Sequence, residues 1–172
     1  MSGGVDSIRV GQGFDAHRFA AADAGRELWL AGIRWTDDEA RGAHGLEGDS
    51  DGDVAAHALI DASLQAAGLG DIGAMFGVGK TSAGAGMHGA TMLAQVRERL
   101  AAHGWCVINA TVTVVGNAPR VGAHRDEAER ALSQALGAPV SLGATTTDRM
   151  GFTGRGEGVA AIASALVSRV GR

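Results

Sequence analysis

Asp15-x-His17 is the shortest pattern in the chain that can do chemistry. At the end of a strand residues i and i+2 point the same way, so a carboxylate and an imidazole converge on one point. Taken alone, such a pair is an ordinary surface contact. A second cluster, Asp51-x-Asp53-x-x-x-His57-x-x-x-Asp61, sets Asp53, His57 and Asp61 along one helical stripe at i, i+4 and i+8. Beside an Ala-rich apolar face, that stripe reads either as solvated surface or as part of a site. Asp15, His17 and His57 together supply one oxygen and two nitrogens, the three-ligand set of a catalytic zinc with an open fourth position. Asp53 or Asp61 then orients His57 through its second ring nitrogen.

Two glycine patterns are decoys. Gly11-x-Gly13-x-x-Ala16 fits the loose dinucleotide fingerprint, which needs a helix opening at the glycines, whereas Phe14-Asp15-Ala16-His17 leads into a loop. Gly79-Lys80-Thr81 looks like the end of a phosphate-binding loop of the Walker type, yet the first glycine of that pattern falls on Ala74. Composition narrows the field further. The 172 residues carry 15 Lys and Arg against 19 Asp and Glu, 15 − 19 = −4, without the basic footprint of a nucleic-acid or anionic-membrane binder. Cys106 is alone, which excludes an internal disulfide framework and a Cys-rich zinc module.

The start Met1-Ser2-Gly3-Gly4-Val5-Asp6 has neither a charged opening nor an apolar core, so the expectation is a cytoplasmic protein without a secretory signal. The nearly apolar run from Gly158 to Val167 is far shorter than the ~20 residues of a membrane span. Glycine, at 28 residues, exceeds the roughly 12 expected at average use, and its gathering at 11–13, 68–89 and 151–158 marks turns and close backbone approaches to a ligand.

The elements that must position these groups follow from periodicity. Residues 8–14 and 28–35 read as strands joined by the turn-rich loop 20–27, a hairpin or short meander. A helix over about 52–67, capped by Ser50 or Asp51 and stopped at Gly68, carries His57. A glycine-laden loop runs to Gly89, followed by a helix over about 90–102, a strand at 106–115, a helix over about 122–136 and a Thr-rich strand at 140–147. Gly156 to Val170 reads as a helix apolar nearly all round, either fully buried or packed on another subunit. The order β-β-α-α-β-α-β-α predicts one α+β domain over 1–172, with helices layered on one face of a four- or five-stranded mixed sheet.

Five ordered motifs carry a resemblance across residues 8–169. They are Gly13-Phe14-Asp15-Ala16-His17-Arg18-Phe19, Ser50-Asp51-Gly52-Asp53-Val54-Ala55-Ala56-His57-Ala58, Leu69-Gly70-Asp71-Ile72-Gly73, Ala144-Thr145-Thr146-Thr147-Asp148 and Gly151-Phe152-Thr153-Gly154-Arg155-Gly156-Glu157-Gly158. In order and spacing they resemble the 2-C-methyl-D-erythritol 2,4-cyclodiphosphate synthase family. The resemblance implies a homotrimer with active sites between subunits. The 2-phosphate of a cytidine diphosphate-linked substrate attacks the β-phosphorus there and expels CMP. It implies zinc at Asp15, His17 and His57, and magnesium or manganese at Asp148, an aspartate where the family often has the longer glutamate. Thr146 joins these as a catalytic residue. Asp71, Gly73 and Phe76 would contact the methylerythritol part. Ala118, Pro119 and Arg120 would border the phosphates and cytosine together with Ala144, Thr145 and Thr146, and Asp49, Ser50, Phe152 and Arg155 would complete the substrate site. Arg155 and Glu157 also read as a turn and an intersubunit ion pair, near a central trimer cavity that in the family accepts isoprenoid diphosphates.

Three departures stand out. Asp49 replaces a histidine on a substrate-covering loop, the 77–89 loop carries Gly79-Lys80-Thr81-Ser82 in place of an acidic, proline-containing segment, and Gly143 stands where lysine is frequent. Asp49 adds negative charge beside a polyanionic substrate, or else simply caps the helix that follows. The competing functional expectation is a family-fold protein that binds a cytidine nucleotide or isoprenoid diphosphate with little turnover.

Overall fold

Residues 158–169, expected as an apolar helix, form a central strand of the main sheet in the computed structural model, which describes residues 7–170. Val159, Ala161, Ala163, Ala165 and Val167 are buried on one face of this strand, while Ile162 on the other face stays exposed, so the true period is two. Alanine favours helices by propensity. Here small side chains serve a different end, letting a helix lie close on the sheet, and tertiary packing overrides propensity. The Met1–Asp6 segment, read above for a signal, lies outside the described residues.

In chain order the elements are β1 (Ile8–Arg18), β2 (Trp29–Leu30), β3 (Ile33–Arg34), α1 (Thr36–Ala40), α2 (Val54–Ala67), α3 (Ile72–Phe76), α4 (Gly89–Ala102), β4 (Trp105–Val115), α5 (Arg125–Leu136), β5 (Val140–Thr145), α6 (Gly151–Gly154) and β6 (Gly158–Arg169). The expected 28–35 strand is broken into a tight hairpin, because Ala31 and Gly32 both have positive φ, 55° and 79°, as a two-residue primed turn requires. That hairpin pairs with itself and not with β1. The short helices α1, α3 and α6 were not foreseen; α3 lies within the stretch expected as glycine loop.

The main sheet runs β1-β6-β4-β5, with only the β4–β5 pair parallel. Helices α2, α4 and α5 cover one face, and the core lies between, with Leu59, Ile60, Leu64, Leu93, Leu100 and Leu132 fully buried or nearly so. The β5 edge is closed by side chains of α5: the Leu142 N–H donates to Glu129 Oε1 at 2.7 Å and the Val140 N–H to Ser133 Oγ at 3.0 Å. Such capping blunts an edge that otherwise invites strand pairing. The opposite sheet face is bare, and Val10, Phe14 and Ile162 are exposed on it, Phe14 and Ile162 being register partners.

Candidate metal centre and the pocket around it

Alternation along β1 puts Gly11, Gly13, Asp15 and His17 on the helix-covered face. The glycines serve the helix and not, as expected, a ligand. A Cβ on Gly11 would lie 2.1 Å from the Ala62 carbonyl oxygen, and one on Gly13 would lie 2.0 Å from that of Ala58. The α2 backbone therefore rests directly on β1, and the two residues that follow on the same face meet His57 of α2. Asp15 Oδ2 lies 2.9 Å from His57 Nδ1 and 3.0 Å from His17 Nε2, and the two ring nitrogens are 3.3 Å apart. The three side chains thus offer one ligand atom each around a common point, as the spacing predicted.

Asp53 fixes the start of α2. Its buried carboxylate accepts from the N–H groups of Ala55 and Ala56 as N-cap, and from those of Ala31 and Gly32 in the β2–β3 turn at 2.8 and 2.7 Å. The cap is therefore Asp53, not Ser50, Asp51 or Asp49. Asp53 and Asp61 do not orient the second nitrogen of His57 either, since Asp61 accepts instead from the Ile72 N–H. Ser50 Oγ holds that place, 3.0 Å from His57 Nε2. Nδ1 faces Asp15 and His17, and an Nε2–H donated to Ser50 Oγ would leave Nδ1 free for a metal, the tautomer a metal ligand needs.

The electrostatics match. Burial would push the Asp15 carboxyl up, but hydrogen bonds and charge attraction from His17 and His57 outweigh it and hold the group well below the usual carboxylate range. Burial lowers His57, yet its bond to Asp15 and the carboxylates of Asp15, Asp53 and Asp51 raise it on balance. Two imidazoles gathered around one ionised carboxylate make a well that a divalent cation fits.

The triad lies in a cavity of about 220 Å³ whose lining also includes Asp49, Ser50, Gly73 and Phe76. Asp71 is not in that lining and caps α3 by accepting from the Ala74 N–H. Asp49 is exposed, and its Oδ2 accepts from the Gly79 N–H at 2.7 Å. Sequence reasoning missed Val78, Ser82 and Met92 in the wall, and Arg26, which donates to the carbonyls of Gly48 at 3.1 Å and Ser50 at 2.5 Å and so pins the loop carrying Ser50. Arg26 sits in a turn-rich loop with no periodic pattern, so no signal in the sequence pointed to it.

The remaining predicted residues gather elsewhere. Register aligns Ala16, Ala160, Val115 and Thr145 across the sheet, so the Thr145–Asp148 segment starts three strand spacings, ~14 Å, from the Asp15–His17 strand. There Thr146 Oγ1 donates to Asp148 Oδ1 at 3.4 Å, and Asp148 and Arg149 both hold positive φ, 50° and 68°, in a turn closed by the Met150 N–H on the Thr147 carbonyl. Two non-glycine residues in that conformation store strain, a frequent mark of ligand loops. Ala144 is the penultimate residue of β5, beside them. Ala118 and Arg120 line a separate hollow with Asp38 and Arg41, and Phe152 lies on α6. Arg155 Nε donates to Glu157 Oε1 at 2.6 Å, an ion pair within the chain.

A layered α+β fold with an Asp-His-His cluster under a pocket defines a class, and comparison with known proteins places the chain in it. The family model described as the YgbB family matches residues 8–168, and the chain belongs to that family. The 2-C-methyl-D-erythritol 2,4-cyclodiphosphate synthase of Bifidobacterium longum subsp. infantis is 58% identical over 97% of this chain and 99% of its own length. Among solved structures, a 2C-methyl-D-erythritol-2,4-cyclodiphosphate synthase in a CDP-bound form superposes with a TM-score of 0.76 at 30% identity, over 93% of this chain and 100% of that one. The bifunctional IspDF of Campylobacter jejuni gives 0.82 at 32% identity, over 94% of this chain and 42% of that one. Both the resemblance in the motifs and the mixed four-stranded sheet are thereby confirmed.

Proposed function

We infer that this chain is a 2-C-methyl-D-erythritol 2,4-cyclodiphosphate synthase. The observation that carries the reading is the convergence of Asp15 Oδ2, His17 Nε2 and His57 Nδ1 at the floor of a pocket in a chain 58% identical to such an enzyme. In the reaction, an oxygen of the 2-phosphate forms a bond to the β-phosphorus of 4-diphosphocytidyl-2-C-methyl-D-erythritol 2-phosphate. The bond from that phosphorus to the bridging oxygen breaks, and the electron pair leaves with CMP. This is phosphorus–oxygen lyase chemistry in isoprenoid precursor biosynthesis. Such transfer asks little covalent work of the protein and depends on positioning and charge neutralisation.

Zinc at the triad and magnesium or manganese at Asp148 would supply Lewis-acid polarisation of the phosphates and neutralise charge when bound. The chain's own part is to orient. Ser50 holds the His57 ring, Gly73 and Phe76 shape the pocket beside it for the methylerythritol part with Asp71 at its edge, and Ala118, Arg120, Ala144, Thr145 and Thr146 serve the nucleotide, with Phe152 and Arg155 near them.

Two-metal clamps set their ions about 3.5–4 Å apart. With Asp148 following a strand end ~14 Å from that of the triad, one chain does not supply both halves, which favours a site completed by a second copy. The bare sheet face with Val10, Phe14 and Ile162 is the apolar surface that a cyclic homotrimer would cover. In this reading the protein is a single domain working in the cytoplasm; among the described residues no helix is long and apolar enough to cross a membrane. An isoprenoid diphosphate is a candidate occupant of the trimer core.

CMP release from the cytidyl substrate with added zinc and magnesium tests the activity. Binding of CDP without CMP release would replace it by the non-catalytic reading, and a monomer in light scattering at micromolar concentration would remove the shared site.

A further inference from the structure

The lining of the pocket holds two carboxylates, Asp15 and Asp49, and two imidazoles, but no lysine or arginine. A metal at the triad answers Asp15. Nothing in the lining answers Asp49, although the methylerythritol part of the proposed substrate carries both the 2-phosphate and the diphosphate. The chain has a single lysine, all its other basic side chains of this kind being arginine, and that lysine, Lys80, lies in the chain between two lining residues, Val78 and Ser82. Lys80 is the second residue of a turn closed by the Ser82 N–H on the Gly79 carbonyl at 2.9 Å. Val78 before the turn and Ser82 at its end both line the pocket. The turn is fastened to the opposite loop by the Gly79 N–H, which donates to Asp49 Oδ2 at 2.7 Å, and further along the same segment the Gly86 N–H donates to the Asp49 carbonyl at 2.8 Å. Lys80 is exposed and takes part in none of the ion pairs among the described residues.

These facts join two departures that looked independent in the sequence. Where a histidine was expected the first loop carries a carboxylate, and where an acidic segment was expected the second loop carries an ammonium; that carboxylate accepts a hydrogen bond from the second loop, beside the ammonium residue, at the Gly79 N–H. We propose that Lys80 is a substrate-binding residue of this pocket, the cation that meets the phosphate carried on the methylerythritol part of the substrate, on a turn anchored by Asp49. A flexible four-carbon stem ending in a compact point charge suits a phosphate that must move toward the β-phosphorus, whereas a rigid guanidinium fork would hold it in place. The proposal rests on the cyclase reading, whose methylerythritol end lies at Gly73 and Phe76, the segment that leads into this turn.

Because Lys80 is the only lysine, acetylation of the metal-loaded protein reaches one side-chain amine besides the chain's α-amino group. The cyclic diphosphate product, added at saturating concentration, is expected to slow acetylation of Lys80 and leave the α-amino group unaffected, as read by peptide mass spectrometry. In kinetics, Lys80→Gln is expected to raise KM roughly ten-fold with kcat changed less than about two-fold, and Lys80→Arg to restore most of the loss. Unchanged acetylation together with an unchanged KM in Lys80→Gln overturns the proposal while leaving the cyclase reading intact. Protection of Lys80 in a protein that releases no CMP overturns the cyclase reading and keeps Lys80 as an anion contact.

Discussion

On the floor of the pocket, Asp15, His17 and His57 are fixed by backbone packing: β1 and α2 touch through Gly11 and Gly13, and Asp53 ties the start of α2 to the β2–β3 turn with four N–H donors. On the rim, the loop at 77–89 and the loop at 48–51 are held to each other by a few hydrogen bonds, among them those from the Gly79 and Gly86 N–H groups to Asp49. Neither Gly11 nor Gly13 can take a side chain without moving α2. The rim is less constrained, and two of the three departures from the pattern the motifs resemble, at Asp49 and in the 77–89 loop, lie there. A metal-ligand set needs sub-ångström placement, which a strand and a helix in contact provide; a polyanion needs compensating charge within reach, which a loop can deliver from more than one position.

The sharpest way to break this contrast is to attack the floor where it has no slack. Gly13→Ala puts a Cβ 2.0 Å from the Ala58 carbonyl oxygen, so α2 must shift. The expected result is a loss of about 3 kcal/mol in urea unfolding, the upper range of overpacking costs, together with loss of bound zinc by elemental analysis. A variant that keeps its zinc would show that the triad does not depend on this contact.

The same contrast explains what was legible in the sequence. Asp15, His17 and His57 could be read because their spacing is governed by strand and helix periods, which the chain encodes locally. The cap and the partner of His57 could not. Asp53 was chosen over Ser50 and Asp51 by the β2–β3 turn that it also binds, a contact between segments about twenty residues apart. Ser50 reached His57 because Arg26 pins its loop from a region without periodicity. The strand at 158–169 was taken for a helix because its alanines answer to α2 lying over the sheet, a requirement that no local window contains. Likewise, the ~14 Å between the triad strand and the Thr145–Asp148 strand end follows from the strand order, which periodicity alone does not give.

Between floor and rim stands Ser50, a loop residue that touches a ligand. Ser50→Ala removes the hydrogen-bond partner of His57 Nε2 in a buried place, where His57 is only 6% exposed. Zinc affinity measured by chelator competition is expected to fall about 10–100-fold, the usual cost of losing such a partner, while thermal stability changes little. Ser50→Thr, which keeps the hydroxyl, is expected to retain most of the affinity. Equal affinity in Ser50→Ala and the parent would mean that α2 alone orients the ring.

The smallest effect belongs to the rim itself. Asp49→Asn keeps an oxygen that can accept from the Gly79 N–H and so preserves the tether, but it removes the negative charge from the pocket lining. Repulsion between unit charges at 4 Å is about 4 kcal/mol at an effective dielectric of 20 and about 1 kcal/mol in water. Asp49 is exposed, so the lower figure applies, and Lys80 nearby in sequence to Gly79 offsets part of it. KM for the cytidyl substrate is therefore expected to fall by a factor of about five or less, with kcat and thermal stability unchanged. The gain should shrink further in high salt, because exposed charges are screened over about 8 Å at physiological ionic strength. If Asp49→Asn raises KM instead, the carboxylate holds the turn by its charge and not merely by accepting a hydrogen bond, and the rim is more tightly specified than its exposure suggests.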